Sequence, residues 1–341
     1  MITWQTEPDI IAQRINCMEY NITELLEKIR ATVESHRLGE GSYTRWIPLS
    51  PGDSRVPAIN AYGCADAANI LYTLNCFPRD PKERDAFVRN IGAMQNDDGL
   101  INEGTHLPIH TTAHCAAALE LFDASLPKPC YAMLPYLDKD ALSDYLYQAE
   151  GHRGAGIYVA LNLTGCADPA WNRAYFSWFW DHTDEKTGFW KRHFGSEEEP
   201  LWQYIGDGFH FLFNMEYERV PLRYPERMID TCLAMYDDKK QWPERFGEIA
   251  HYIEMDWIYC LSRASRQTPH RFYEIRERLE SFTDMYISNI QNMDFSTDPF
   301  VNDLHMLFGM TCALAELQNV LRGTLHSDKP LRLPLDRRPF I

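Results

Sequence analysis

The sequence has few basic residues, no apolar run of membrane length and no closely paired cysteines. Its 33 Lys and Arg residues are outnumbered by 49 Asp and Glu residues, which gives a formal net charge of −16. We therefore expect no nucleic-acid partner, because phosphate backbones are bound through clustered basic side chains. No window approaches the roughly 18 consecutive apolar residues of a membrane span, so the sequence predicts no membrane partner.

The nine cysteines form no C-x-x-C pair and show no regular spacing. Several of them, such as Cys64, Cys115 and Cys312, fall within apolar helical patterns. This usage is typical of reduced, buried thiols and predicts a cytoplasmic location. The first residues contain acids and lack the apolar core of a signal peptide, which supports the same prediction. The sequence leaves the oligomeric state open.

Two kinds of helical segment alternate along the chain six times. One kind is apolar, rich in small residues, and begins with His, Asp or Asn, as in "HTTAHCAAALELF" from His110. The other is amphipathic with one solvated face, as in "PKERDAFVRNIGAMQ" from Pro81. Buried helices that alternate with half-exposed ones predict an all-α single domain over residues 1–341, an (α/α)6 toroid of six helical hairpins. A stacked solenoid is the alternative.

The long polar links precede the buried helices, whereas the links that follow them are short. Binding residues concentrate on loops held by a rigid scaffold. We therefore expect the functional site at the N-terminal end of the buried helices. The Pro- and Arg-rich residues 323–341 are expected to form an extended tail, packed on the outside of the ring or at a subunit contact.

One repeat carries a family resemblance. "FVRNIGAMQNDDGLI" followed by "HTTAHCAAALELF" resembles the repeat of the terpenoid-cyclase and protein-prenyltransferase toroids, in which an Asp-Gly turn leads into a Thr-rich inner helix. "WFWDHTDEKTGFW" followed by "GFHFLFNMEYE" is a looser second copy. The resemblance implies the toroid fold, which many glycoside hydrolases and polysaccharide lyases share. The DxDD acid, the DDxxD magnesium motif and the Cys-His dipeptide of related enzymes are absent from the sequence.

Polar side chains recur at the starts of the buried helices, often three or four residues apart and therefore on one helical face. Each alone has a structural explanation, since Asp and Asn cap helices and an isolated His is commonly a core residue. Together they predict a polar rim. The candidate catalytic residues are Asp256, Glu254, Asp207, Asp303, His114 and His210. The candidate substrate-binding residues are His110, His152, Arg153, His251, Asn302, His305, Trp190, Trp202, Trp257, Tyr62 and Asp66.

Three chemistries fit this rim. Glycoside hydrolysis needs two carboxyl groups, one protonated and one ionised, and the available pairs join Glu254 or Asp256 to Asp207 or Asp303. β-Elimination from a uronate needs a His or Tyr base and a group that neutralises the carboxylate, for which His152 with Arg153, His110, His210, Tyr62 and Asn302 are suitable.

A metal site could use His110 and His114 as an i, i+4 pair, but substrate contact or proton transfer is the preferred interpretation. We expect no metal or cofactor. Aromatic side chains beside polar ones favour a sugar, with simple packing as the alternative. The sequence therefore predicts an enzyme that hydrolyses, in preference to eliminating, a bond in an oligosaccharide or glycoside. A terpenoid or prenyl-chain enzyme and a non-catalytic binding toroid are the alternatives.

Overall fold

The computed structural model describes residues 19–149, 151–190 and 200–340, and the chain is mostly helical. The all-α prediction is confirmed. The described residues form α1 (Thr23–Ser35), α2 (Ala61–Thr73), α3 (Pro81–Gly92), α4 (Pro108–Glu120), α5 (Lys139–Gln148), α6 (Gly151–Asn162), α7 (Pro169–Asp181), α8 (Leu201–Glu218), α9 (Pro225–Asp237), α10 (Ile253–Ser265), α11 (Phe272–Gln291) and α12 (Leu304–Val320). Short strands β1 (Tyr20–Asn21), β2 (Arg37–Gly39), β3 (Ser42–Tyr43) and β4 (Leu325–His326) accompany them.

The odd-numbered helices are amphipathic, and several begin at residues suited to that position. Proline occupies the first turn of α3, α7 and α9, where the missing N–H costs nothing. The Asp80 and Asp168 side chains cap α3 and α7 by accepting from backbone N–H groups. One face of each odd-numbered helix is buried and the other is solvated, as the sequence predicts.

The even-numbered helices are buried on nearly all sides. Their small residues allow close approach of neighbouring chain segments. A Cβ at Gly63 would lie 2.6 Å from the carbonyl carbon of Thr44, so α2 fits against the segment beside β3 only with glycine there. Among the described residues, no helix combines the length and apolarity required to cross a bilayer.

The even-numbered helices pack on one another in chain order, α2 on α4, α4 on α6, α6 on α8, α8 on α10 and α10 on α12. In addition, α12 packs on α2. The parallel pair of β1 and β4 also joins segments near the two ends of the chain, with Tyr20 opposite Leu325 and Asn21 opposite His326. The first and last even-numbered helices are therefore direct neighbours.

The last residues of the C-terminal tail do not lie on the outside. Arg338 and Phe340 are both fully buried, so the expectation of outer packing is wrong for this part of the tail. Asp336 accepts a hydrogen bond of 3.0 Å from Arg263 near the end of α10. The same guanidinium pairs with Glu316 of α12 at 2.6 and 2.7 Å. These ion pairs hold the tail against the C-terminal parts of two even-numbered helices, from where its last residues reach the interior.

Candidate functional site

Many of the polar residues at the helix starts surround a cavity of about 280 Å³. It lies toward the N-terminal ends of the even-numbered helices, as the sequence predicts. Six histidines line it, from α4, α6, α8, α12 and the segments preceding α4 and α10. The lining residues are His106, His110, His152, Trp202, Gln203, Gly206, Asp207, His210, His251, Tyr252, Ile253, Asp256, His305 and Met306.

Three of these histidines form a compact group, which we call the triple-histidine cluster: His110 of α4, His152 of α6 and His210 of α8. One ring nitrogen from each lies within 4.8 Å of the other two. The rings are tilted against one another by 55 to 60°. Gly151 permits this approach, because a Cβ there would lie 2.6 Å from the backbone oxygen of Asp207 in α8.

Hydrogen bonds orient two rings of the cluster. His210 Nδ1 lies 2.7 Å from the backbone oxygen of Gly206. A carbonyl oxygen can only accept, so Nδ1 carries the proton and Nε2 presents its lone pair. His110 Nδ1 is hydrogen-bonded to the hydroxyl of Tyr62. Burial lowers the pKa of His210 to about 4. Burial and then the neighbouring His152 lower the pKa of His110 well below its usual value, so both rings are neutral near pH 7.

A second group lies behind the cavity wall, where Asp66 of α2 contacts two histidines. His114 Nε2 lies 2.8 Å from the Asp66 carboxylate. His305 Nδ1 lies 3.3 Å from the same carboxylate and 2.9 Å from the hydroxyl of Tyr252. Burial opposes ionisation of Asp66, but His305 and His114 hold its pKa below the usual range. With Nδ1 of His305 directed at the carboxylate, Nε2 is the nitrogen left to accept a proton.

Arg338 of the tail closes this group from the other side. Its guanidinium lies 3.3 Å from His114 Nδ1 and 3.2 Å from the His114 backbone oxygen. Because a guanidinium only donates, His114 Nδ1 must accept, and its Nε2–H then donates to Asp66. Burial lowers the pKa of His114 to about 3 and that of Arg338 to about 10. At neutral pH an uncharged His114 therefore separates a buried cation from a buried anion.

The cavity lining also includes carboxyl groups on neighbouring helices, Asp207 of α8 and Asp256 of α10. Asp256 is only 6% exposed, and its Oδ1 has no hydrogen-bond partner in the described part of the chain. Burial first, then the negative charges of Glu254 and Asp207, raise the pKa of Asp256 well above its usual value. Asp256 therefore favours its protonated form more strongly than an exposed aspartate does, and the nearby Asp207 contributes to this shift.

Several other predicted site residues lie outside the cavity lining. Glu254 is fully buried and accepts a hydrogen bond of 2.7 Å from the Gly247 N–H. Burial raises the pKa of Glu254 to about 7. Asp303 caps α12 and pairs with Arg45 through two hydrogen bonds of 2.7 and 2.8 Å. Of the predicted pairs of acids, only Asp256 with Asp207 lies in the cavity lining, and these two residues are on adjacent helices.

Two of the three predicted tryptophans belong to the core. The Trp190 indole donates to the Phe179 backbone oxygen and the Trp257 indole to that of Cys232. Of the three, Trp202 alone lines the cavity.

Arg153 and Asn302 are also absent from the cavity lining. The Arg153 guanidinium sits 5.4 Å from the ring centroid of Tyr145. The Asn302 side chain bonds the backbone of Ile47 in both directions. Both side chains have structural partners elsewhere. Residue spacing alone therefore assigned too many residues to the polar rim.

Sequence reasoning missed several residues of the site, including four that lie beside its histidines. Tyr252 stands beside the predicted His251, and His106 lies one turn before the predicted His110, so position in the repeat could have suggested both. Phe340 and Arg338 come from the tail, where no pattern indicates burial. Phe340 places its ring 5.1 Å from His110 and 6.2 Å from His210 and so forms the floor beneath the cluster.

The lining residues set the charge of the cavity. Among those in the described part of the chain, none is a lysine or an arginine. With buried histidines kept neutral and acids on one wall, the cavity suits a neutral or cationic ligand better than a phosphate or a uronate. No protein-family model, curated protein or solved structure matches this chain. The residues of the cavity therefore carry its functional assignment by themselves.

Proposed function

We propose that the chain is an (α/α)6 toroid formed by one domain. The closed series of helix contacts, including that of α12 with α2, supports this architecture. So does the alternation of amphipathic odd-numbered helices with buried even-numbered ones. The even-numbered helices are then the inner ring, and the cavity is its N-terminal mouth.

We further propose that this toroid is a carbohydrate-active enzyme that hydrolyses the glycosidic bond of a small glycoside or oligosaccharide. The observation that carries the proposal is that Asp256 and Asp207 both line the cavity, where burial raises the pKa of Asp256 well above its usual value. Glycosidases need one carboxyl group as a proton donor and a second in the ionised form. Asp256 is the general acid, and Asp207 is the carboxyl group that activates water or attacks the sugar.

The remaining lining residues are suited to hold a sugar. Trp202 offers a flat apolar face, and the histidines and Gln203 offer donors and acceptors for hydroxyl groups. His305, oriented by Asp66, is a second base available for proton transfer. The absence of Lys and Arg among the described lining residues favours hydrolysis of a neutral glycoside over elimination from a uronate. It also disfavours a prenyl diphosphate as substrate.

We place this activity in the cytoplasm, with a small-molecule substrate and no nucleic-acid or membrane partner. The eight cysteines of the described residues are free, and six of them are buried. Free buried thiols are typical of a reducing compartment. The formal charge of −16 supports the absence of a nucleic-acid partner.

The test is turnover on a panel of neutral glycosides, uronate oligosaccharides and prenyl diphosphates. We expect new reducing ends from the neutral glycosides without the ultraviolet absorbance of a new double bond. Asp256→Asn should lower kcat by roughly 10²- to 10⁴-fold, the usual contribution of a general acid. Glu277→Gln, which changes an exposed carboxyl group of α11 outside the cavity lining, is the control and should retain activity.

Silence on every neutral glycoside would reject the proposal. Absorbance from uronates or turnover of a prenyl diphosphate would replace it by the corresponding alternative. Full activity of Asp256→Asn would remove the assigned acid. Thermal melts of both variants, followed by circular dichroism, establish that any loss of activity arises in a folded protein.

A further inference from the structure

The triple-histidine cluster brings three imidazoles from separate helices to one point. Its ring nitrogens lie within 4.8 Å of one another. Three nitrogens bound at about 2.1 Å to a tetrahedral zinc ion are separated by about 3.4 Å. Modest rotation of the rings would close that difference, since the three helices already pack side by side as α4, α6 and α8.

The structure assigns a transition-metal site to His110, His152 and His210, with a Zn²⁺-class dication as its ligand. Imidazole nitrogen binds zinc, copper, nickel and iron, whereas magnesium and calcium prefer oxygen. The rings lie at an angle to one another rather than in a stack, and each offers one nitrogen to the group.

The hydrogen bonds around the rings match those of metal-binding histidines. Such a ligand usually donates its other ring N–H to a carbonyl oxygen or a similar acceptor, which fixes the tautomer. His210 does so through Nδ1 to the Gly206 oxygen at 2.7 Å, which leaves Nε2 as the ligand atom. His110 has the Tyr62 hydroxyl at its Nδ1, which can accept in the same way.

The surroundings favour a cation that remains accessible. His110 and His210 are 3% and 7% exposed, and His152 is half-buried. Asp207 lies one turn before His210 and lines the same cavity as Asp256, so acidic groups face the bound charge. Three protein ligands with a fourth position open to a cavity are the arrangement of catalytic rather than structural zinc sites.

The other histidine group, formed by Asp66, His114 and His305, does not need a metal. Its carboxylate already accepts from His114 and contacts His305, and Arg338 bonds His114 from behind. All three members are buried. A dication there would add positive charge beside the buried Arg338. The i, i+4 pair of His110 and His114 that the sequence suggests is thus divided between two groups.

The assignment does not depend on the identity of the substrate, so metal binding is measured without one. Untagged, chelator-treated protein is titrated with Co²⁺, whose visible absorption reports nitrogen coordination, and with Zn²⁺ by calorimetry and by displacement of Co²⁺. We expect one ion per chain and no displacement by Mg²⁺. His152→Ala should weaken Co²⁺ binding by at least about 100-fold. Loss of a residue that only hydrogen-bonds a metal ligand costs up to about that much, and His152 is itself a ligand in this assignment.

His251→Gln is the matched control, because His251 lines the cavity but is outside the cluster. It should bind Co²⁺ like the unmodified protein. Absence of binding by the folded unmodified protein would overturn the assignment. Unchanged binding in His152→Ala, with loss in His305→Gln, would overturn it in favour of the Asp66 group. If the protein hydrolyses no glycoside, the Co²⁺ titration can still show metal binding. Failure of the proposed function and failure of the metal assignment are therefore distinguishable.

Discussion

Arg338, two residues after the 3₁₀ turn Pro334–Asp336, donates to the backbone oxygen of His114 at 3.2 Å. Through the ring of His114 it is connected to Asp66, whose carboxylate lies 2.8 Å from His114 Nε2. All three residues are fully buried. The Arg338 cation and the Asp66 anion therefore hold the tail in the interior, with the neutral ring of His114 between them.

This pairing predicts strong coupling between Asp66 and Arg338. Asp66→Asn leaves a buried cation without its anion, which costs about 3–5 kcal/mol of unfolding free energy. The double variant Asp66→Asn/Arg338→Met removes both charges and should lose clearly less than the sum of the single variants. Urea denaturation of the four proteins measures the coupling. Additivity within about 0.5 kcal/mol would contradict it.

The buried carboxyl group of Glu254 predicts a fall in stability between about pH 4.5 and 7. Its pKa is raised by burial from 4.5 to about 7 in the folded state. Because the pKa is higher in the folded state, protonated Glu254 stabilises the fold fully below pH 4.5. This stabilisation is lost as the pH rises through 7. The difference corresponds to about 3 kcal/mol.

Glu254→Gln should remove this contribution and be more stable than the parent protein at pH 8. Denaturation midpoints of both proteins from pH 4 to pH 8 give the comparison. Parallel curves over that range would show that Glu254 ionises normally.

The close approach of α6 and α8 predicts that Gly151 cannot be enlarged. In Gly151→Ala the new Cβ would lie 2.6 Å from the Asp207 backbone oxygen and 2.9 Å from its Cα, so α6 must move. Overpacking of this kind costs about 1–3 kcal/mol. The shift also separates His152 from His210, so Co²⁺ affinity should fall with the melting temperature. Gly39→Ala has no atom within 4 Å of its Cβ and should change neither quantity.

The packing of Phe340 beneath the triple-histidine cluster predicts that this side chain is essential for stability. Its ring is fully buried and lies 5.1 Å from His110 and 5.2 Å from Phe213. Phe340→Ala should lower the unfolding free energy by about 3–5 kcal/mol, as for other large-to-small core changes. Phe340→Leu retains most of the apolar volume and should lose much less. Equal stability of all three proteins would mean that the tail is not packed inside.

Much of this fold could be predicted because the pattern is local. The alternation of apolar segments such as that from His110 with amphipathic ones such as that from Pro81 indicates two classes of helix directly. The starts of the apolar helices then identify His110, His152, His210 and Asp256, all of which line one cavity.

The errors arise where long-range packing decides the outcome. Trp257 and Glu254 lie near the helix start as cavity residues do, yet their side chains bond chain segments outside the cavity. Asp303 is neutralised by Arg45, which lies 258 positions earlier in the chain. The burial of Arg338 depends on Asp66 and His114, and nothing in the tail itself indicates those partners.

The contact of α2 with α12 has a consequence for biosynthesis. The two helices are residues 61–73 and 304–320, so most of the chain must be translated before the second one exists. At roughly 5–20 residues per second, ribosomes take roughly 10–50 s to cover that interval. During that time, the side of α2 that α12 covers in the folded protein has no permanent partner. The nascent polypeptide therefore carries an exposed apolar helix surface until the last hairpin emerges.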